Sequence, residues 1–481
     1  MLLKRFYDTR LAQASYLVGC QATGEALLID PNRDVEQYLA AATAEGMRIT
    51  QVTETHIHAD FLSGARELAA RARARLLLSD EGGPDWRYAF AGEAGATLLK
   101  DGQSFAIGNI KVEALHTPGH TPEHLSYRIT DGAATDRPMG IFTGDCVFVG
   151  DVGRPDLLER AAGHAGTMEA SARTLYRTLQ ALKKLPDYLQ LWPAHGAGSA
   201  CGKALGAVPQ TTLGYERFAN WALTAETEDA FVRLVLADQP EPPAYFAEMK
   251  RMNRDGPPPI GERRRPERLG AGRLRDVLAA GAAVADIRRT ADFAKGFVPG
   301  TTNIPRTTLP TRAGMLVPYD RPLYLLVDDS AGDEGGAGPL DEAVRHLGMI
   351  GLAVQGWFGA DALAAWTNGG GALATMPQVS PAEIAPQLAA GAVRVVDVRG
   401  RSEWDAGHLP GALHIPLAEL PRRLAELPKD GRLVLQCESG SRSAVAASVL
   451  HAAGFRNLAN LAGGFNTWKK AGLPVEKESG E

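Results

Sequence analysis

The sequence predicts a multidomain α/β protein, on three observations. Short apolar runs alternate with amphipathic stretches along most of the chain, the pattern of a mainly parallel sheet covered by helices. Breaks rich in glycine and proline, at 256–259 and from 369 to 377, interrupt that alternation, and neither continues a helix or a central strand. The two pieces that follow the first break repeat one another. Asp286 and Arg288 match Asp397 and Arg399, and Phe293 matches Trp404. Gly296 matches Gly407, Pro299-Gly300 matches Pro410-Gly411, and Ile304-Pro305 matches Ile415-Pro416, all at an offset of 111 residues. A period of that length is a duplicated domain, since solenoid units run ~20–50 residues. The expected domains are therefore 1–255, 262–372 and 377–476.

In the first piece, residues 16–18 and 26–29 read as paired strands, and 35–45 as a helix stopped by Gly46. Residues 49–55 read as a strand running into a histidine-rich turn. Further strands are expected at 76–78, 110–115 and 140–143, then a helix over 170–185 and a strand at 190–192 before Pro193. In the last piece, 393–398 and 433–436 read as strands and 442–453 as a helix ended by Gly454.

Composition excludes several classes. The chain has 481 residues, 45% hydrophobic and 22% charged, as in an ordinary water-soluble protein. A net charge of −5 argues against a nucleic-acid partner, and Arg263-Arg264-Arg265 before Pro266 reads as a solvated linker. Lys4, Arg5, Asp8 and Arg10 leave no apolar signal core, and no window approaches the ~18 apolar residues of a membrane span. A cytoplasmic protein without a membrane partner is expected, as a homo-oligomer. Four cysteines without a CxxC pair are neither a disulfide scaffold nor a zinc ribbon.

Ligand-type residues gather at four strand ends. These are Thr55-His56-Ile57-His58-Ala59-Asp60-Phe61, His116-Thr117-Pro118-Gly119-His120, Thr143-Gly144-Asp145 and Pro193-Ala194-His195. Loops at strand ends are where α/β folds build sites, and imidazole with carboxylate suits zinc or non-haem iron. The set resembles the metallo-β-lactamase superfamily, whose first motif is His-x-His-x-Asp-His. The resemblance implies a four-layer αβ/βα sandwich with metal between two sheets.

Phe61 stands where two-metal hydrolases of that superfamily have a histidine, which favours one metal. The branch this first piece looks like is the persulfide dioxygenases, relatives of the glyoxalase II hydrolases. That resemblance implies one iron(II) on His56, His120 and Asp145, with His58, Asp60 and His195 close by. The substrates it implies are a low-molecular-weight thiol persulfide and oxygen. A zinc-dependent thioester hydrolase is the alternative. Arg154 reads either as a contact for an anionic thiol carrier or as a structural ion pair. Cys20 and Cys201 read either as independent thiols or as a redox pair, and Cys146 as a packed core thiol.

In the third piece, Cys437 ends a strand, and a short polar loop through Arg442 opens onto a helix. Unpaired amides at a helix start stabilise a thiolate or persulfide, and Arg442 adds donors for an oxyanion. Asp397 and Arg399, Glu403-Trp404, Gly407-His408, the loop from Cys437 to Arg442, and Gly463-Gly464-Phe465 with Trp468 resemble the rhodanese sulfurtransferases. The resemblance implies Cys437 as a persulfide-carrying nucleophile, with sulfite or thiosulfate as partner. The middle piece keeps that frame, but there is no cysteine between residues 202 and 436. Residues 325–329 occupy the place of Leu435-Gln436-Cys437-Glu438, with a longer glycine-rich loop after them. It is expected to be a rhodanese-like domain without sulfur chemistry. The predicted architecture is thus a metallo-β-lactamase αβ/βα sandwich followed by two rhodanese-like α/β domains.

Overall fold

The alternating strands of the first piece assemble into two six-stranded sheets in the computed structural model, which describes all residues except 161–165, 240, 244, 262–264, 329–337 and 478–481. The chain divides into two units, Met1–Arg263 and Arg264–Glu481. In the first unit, one sheet runs in chain order: β1 (Leu2–Asp8), β2 (Gln13–Cys20), β3 (Glu25–Ile29), β4 (Arg48–Thr53), β5 (Arg75–Ser79) and β6 (Thr97–Leu99). The other holds β7 (Ser104–Ile107), β8 (Ile110–His116), β9 (Leu125–Asp131), β10 (Gly140–Gly144), β11 (Gln190–Pro193) and β12 (Thr211–Thr212), also in order. Strands β3 to β6 are parallel, as are β10 and β11.

The period-2 rule explains the layers. Ala14, Tyr16 and Val18 of β2 point into the core between the sheets, against Val112, Tyr127 and Phe142. Leu17 points the other way, to a layer with Tyr38 and Leu68 of the helices Val35–Ala44 and Ala65–Ala72. On the far side, Ile141 and Leu191 pack on Leu175 and Leu179 of the helix Met168–Leu182. Each fully buried leucine or valine contributes ~1.5–3 kcal/mol. The result is helix, sheet, sheet, helix. Strand β1 was not anticipated: its residues are half-buried on both faces, so no period-2 signal marks it.

The second unit contains two five-stranded sheets of the same topology. One has the order β13 (Glu267–Arg268), β17 (Val354–Phe358), β16 (Leu323–Leu326), β14 (Ala283–Asp286), β15 (Thr302–Asn303). The other has β18 (Gln378–Val379), β22 (Leu458–Leu461), β21 (Arg432–Gln436), β19 (Val393–Asp397), β20 (Leu413–His414). The repeat is visible in hydrogen bonds. Arg288 binds the Asp286 carboxylate as Arg399 binds that of Asp397. Register refines one expectation. Asp286 pairs with Leu326 and Asp397 with Gln436, so the residue in the place of Cys437 is Val327. Most of the expected glycine-rich loop lies outside the described residues. The two copies share a core: Phe293, Phe297 and Met376 pack with Val398, Leu435, Val445 and Leu450. No helix among the described residues is long and apolar enough to cross a membrane.

Candidate metal centre and cysteine loop

The four strand ends converge. Thr53 ends β4, His116 ends β8, Gly144 ends β10 and Pro193 ends β11, and the turns after them carry His56, His120, Asp145 and His195. His56, His120 and Asp145 each offer a ligand atom within 4.8 Å of the others, and all three are buried. His120 Nε2 is 3.5 Å and His56 Nε2 3.9 Å from Asp145 Oδ2. Gly153 allows the following loop to close over this point, since a Cβ there would lie 1.8 Å from the Asp145 carbonyl oxygen.

Outer contacts orient the imidazoles. His120 Nδ1 donates to the Arg154 carbonyl at 3.0 Å, and His195 Nδ1 to that of Ala12 at 2.9 Å. Thr55 Oγ1 donates to Asp30 at 2.9 Å and so accepts from His56 Nδ1 at 3.0 Å. The His56 and His120 rings therefore present an unprotonated Nε2 inward, whereas burial of His195 is more than offset by Asp145 and Asp60, which raise it. Burial holds His56 well below the ordinary imidazole range and His120 down at about 3, so both are neutral, as metal ligands must be. Burial pushes the Asp145 carboxyl up to about 6. Both carboxylate oxygens of Asp145 and of Asp60, with His195 Nε2, are buried without a hydrogen-bond partner. Such a set costs heavily unless a cation joins it, so the residues fit a metal.

The residues expected nearby are nearby. His195 Nε2 lies 3.4 Å from Asp60 and 3.5 Å from Asp145. Burial lowers His58, but Asp30 at 3.2 Å from its Nε2 more than offsets this and lifts it to about 9. Phe61 is buried against the His58 ring, 4.5 Å between centroids, and offers no ligand. A second group nonetheless adjoins the first: Asp60, His195 and Cys201 offer ligand atoms within 4.8 Å of one another. The one available signal was that Cys201 follows His195 by six residues. His124 was also missed. It receives the Asp145 amide on Nε2 at 3.1 Å and faces Thr117 through Nδ1.

Two cases left open by the sequence are narrowed by the geometry. Arg154 is fully buried, and its guanidinium binds Asp156 at 2.8 and 2.6 Å, the ion pair of its two readings. Cys20 and Cys201 are free thiols and no redox pair. Gln13, at the start of β2, bridges His195, whereas Cys20 ends that strand seven residues on, ~23 Å away at the strand rise. Cys146 is packed in the core, and burial pushes its thiol up to about 12.

In the second unit, Cys437 directly follows β21 and is buried, with Ser443 Oγ 3.4 Å from its sulfur. The helix Ser441–Ala452 opens next, with Gly440 at φ +87° before it. Gly464, at φ +57°, lets the chain pass beneath the loop, and Phe465 N donates to the Cys437 carbonyl at 2.8 Å. Arg442, expected to meet an oxyanion, is clamped by Glu403 at 2.7 and 2.6 Å. Those hydrogen bonds and the nearby Cys437 keep it charged.

Comparison with known proteins agrees with this geometry. The model of the metallo-beta-lactamase superfamily matches residues 8–195, and that of the rhodanese-like domain residues 380–471. A probable metallo-hydrolase of Burkholderia pseudomallei (strain 1710b) is 30% identical, over 40% of this chain and 72% of its own. A hydroxyacylglutathione hydrolase of Polaromonas is 33% identical, over 38% of this chain and 61% of its own. The mitochondrial persulfide dioxygenase ETHE1 of Bos taurus is 26% identical, over 49% of this chain and 80% of its own. Among solved structures, a metallo-beta-lactamase from Staphylococcus aureus is 38% identical, with a TM-score of 0.66. The match covers 75% of this chain and 99% of that one. With the buried histidine–aspartate centre in one unit and the cysteine loop in the other, the chain belongs to the metallo-β-lactamase superfamily and carries a C-terminal rhodanese-like domain.

Proposed function

We propose that the chain is an iron-dependent persulfide dioxygenase coupled to a sulfurtransferase, acting in sulfide and persulfide detoxification. In the first reaction a low-molecular-weight thiol persulfide, oxygen and water give the thiol, sulfite and two protons. In the second, sulfite attacks the outer sulfur of a Cys437 persulfide. The S–S bond at Cys437 breaks, thiosulfate leaves, and the thiolate returns.

The observation that carries this reading is the presence, in one chain, of two sites whose chemistries share an intermediate. His56, His120 and Asp145 are the two-histidine, one-carboxylate set suited to non-haem iron. Iron(II) held there would supply open positions and electrons for oxygen chemistry. The protein's part is to hold two neutral imidazoles and one carboxylate in a buried pocket, the rings oriented by Thr55 and the Arg154 carbonyl. At the other site, a thiol at a helix start beside Arg442 suits a sulfur anion.

A zinc-dependent thioester hydrolase is the second reading. It is favoured by the adjoining Asp60–His195–Cys201 group, which would accept a second metal, and by the hydrolase relatives. Metal analysis with oxygen uptake on a panel of thiol persulfides separates the two. About one iron per chain and persulfide-dependent uptake, abolished in His120→Ala and Asp145→Asn, are expected. Two zinc ions per active chain without oxygen uptake would overturn the dioxygenase reading. Cys437→Ser protein should keep oxygen uptake and release free sulfite in place of thiosulfate.

A further inference from the structure

The cysteine loop borders the copy that has no cysteine. Asn303 N of that copy donates to Ser448 Oγ at 2.9 Å, and the Phe297 ring meets His451 edge-on at 4.8 Å. Between the copies lies a cavity of about 540 Å³, lined by Ala291 and Lys295 on one side and by Ser439, Gly440 and Ser441 on the other. The helix Leu309–Leu316 of the cysteine-less copy brings Arg312 to the same loop. Arg312 Nη2 donates to Ser441 Oγ at 3.3 Å, at the first residue of the helix that follows Cys437.

The state of this guanidinium is distinctive. Its Nη1 is buried and has no hydrogen-bond partner. The loop's own cations are all matched: Arg442 by Glu403, Arg399 by Asp397 and Glu438, and Lys469 by Glu438. Among the described residues, no carboxylate is paired with Arg312. The charges that act on it are Cys437 and Arg442, and burial weakens its hold on its proton. A largely buried cation without a carboxylate is costly, and an anion placed beside it offsets that cost. Arg442, already forked onto Glu403, has fewer donors to give.

We propose that Arg312, contributed by the cysteine-less copy, binds the oxygens of the small sulfur oxyanion that reacts at Cys437. The rhodanese site is then assembled from both copies, and the middle domain supplies a binding residue. The inference rests on the sulfurtransferase reading above. With thiosulfate as donor, the Cys437 thiolate attacks the sulfane sulfur and the S–S bond of thiosulfate breaks. The electron pair leaves with sulfite, whose oxygens face Arg312. The reverse step has sulfite bound in the same place.

The test uses the full chain. Thiosulfate–cyanide transfer is followed as thiocyanate, and Cys437 labelling by anionic iodoacetate is compared with labelling by neutral iodoacetamide, read by peptide mapping. Arg312→Gln should raise the KM for thiosulfate about tenfold, the equivalent of one charged hydrogen bond, with a smaller change in kcat. It should lower the iodoacetate-to-iodoacetamide ratio at Cys437 severalfold, a shift that a purely structural role would not produce. Arg312→Lys, which keeps the charge and loses the planar fork, should fall between the two and carries the test should the glutamine variant fail to fold. A KM and labelling ratio equal to wild type in either folded variant would overturn the assignment of Arg312. Wild-type protein without transfer that depends on Cys437 would instead overturn the sulfurtransferase reading, and this inference with it.

Discussion

Gly464→Ala should disable the cysteine loop through one methyl group. Gly464 sits at φ +57°, and a Cβ built there would stand 2.0 Å from the Cys437 carbonyl oxygen and 2.8 Å from Gly440 N. Both neighbours are backbone, so neither swings aside. A left-handed conformation costs a non-glycine residue roughly 1–2 kcal/mol. Relieving the overlap moves the Cys437 carbonyl by about 1 Å and breaks its hydrogen bond from Phe465 N, worth about 1 kcal/mol more. The expected destabilisation is about 2–3 kcal/mol, a fall in Tm of roughly 4–12 °C for a unit of this size. A displacement of ~1 Å at a nucleophile costs roughly 100-fold in rate. On the sulfurtransferase reading, thiocyanate formation should fall by about that factor, while the metal content of the other unit stays at its wild-type value. Calorimetry and the transfer assay on the same preparation check both numbers. Wild-type Tm and full transfer in Gly464→Ala would refute the argument that this glycine holds the loop.

Three further outcomes follow from the packing. Because Val327 occupies the register of Cys437, Asp328→Ala should transfer sulfur at the wild-type rate and Cys437→Ser should not transfer it at all; residual transfer in the latter would place sulfur chemistry elsewhere. Arg154→Met leaves Asp156 buried without its bidentate partner and should destabilise the first unit by about 3–5 kcal/mol in chemical denaturation; a raised KM with unchanged stability would return Arg154 to the substrate. His451, held down at about 4 chiefly by burial, stays neutral in the fold while the unfolded chain takes its proton near pH ~6.5. The stability of the second unit should therefore be complete above that pH and decline as pH falls towards about 4, and calorimetry of His451→Gln should show a shallower decline.

Several features were legible in the order of residues because they are local. Alternating apolar positions placed β2, β3, β4, β8 and β10, while half-buried β1 gave no such signal. The 111-residue repeat reappears as two sheets with one strand order. His56, His120 and Asp145 stand out because each follows a strand end, where a sheet concentrates its site. Cys437 stands out for the same reason.

What the tertiary structure alone decided depends on approach between distant segments. Arg154 offered two readings until the fold buried it on Asp156, for charge type does not reveal exposure. Cys20 and Cys201 look equivalent as thiols, yet an extended strand separates them by its full length. Cys201 joins Asp60 and His195 only because the loop after β11 returns across the sheet ends. Arg312 carries no motif at all. Its place beside Ser441 and Cys437 comes from packing one copy on the other, and Ser441 is 129 residues away in sequence. Local pattern specifies elements and the residues that end them. Which charged groups are left without a carboxylate beside the cysteine is a property of packing, because pairing depends on distances that only the assembled unit sets.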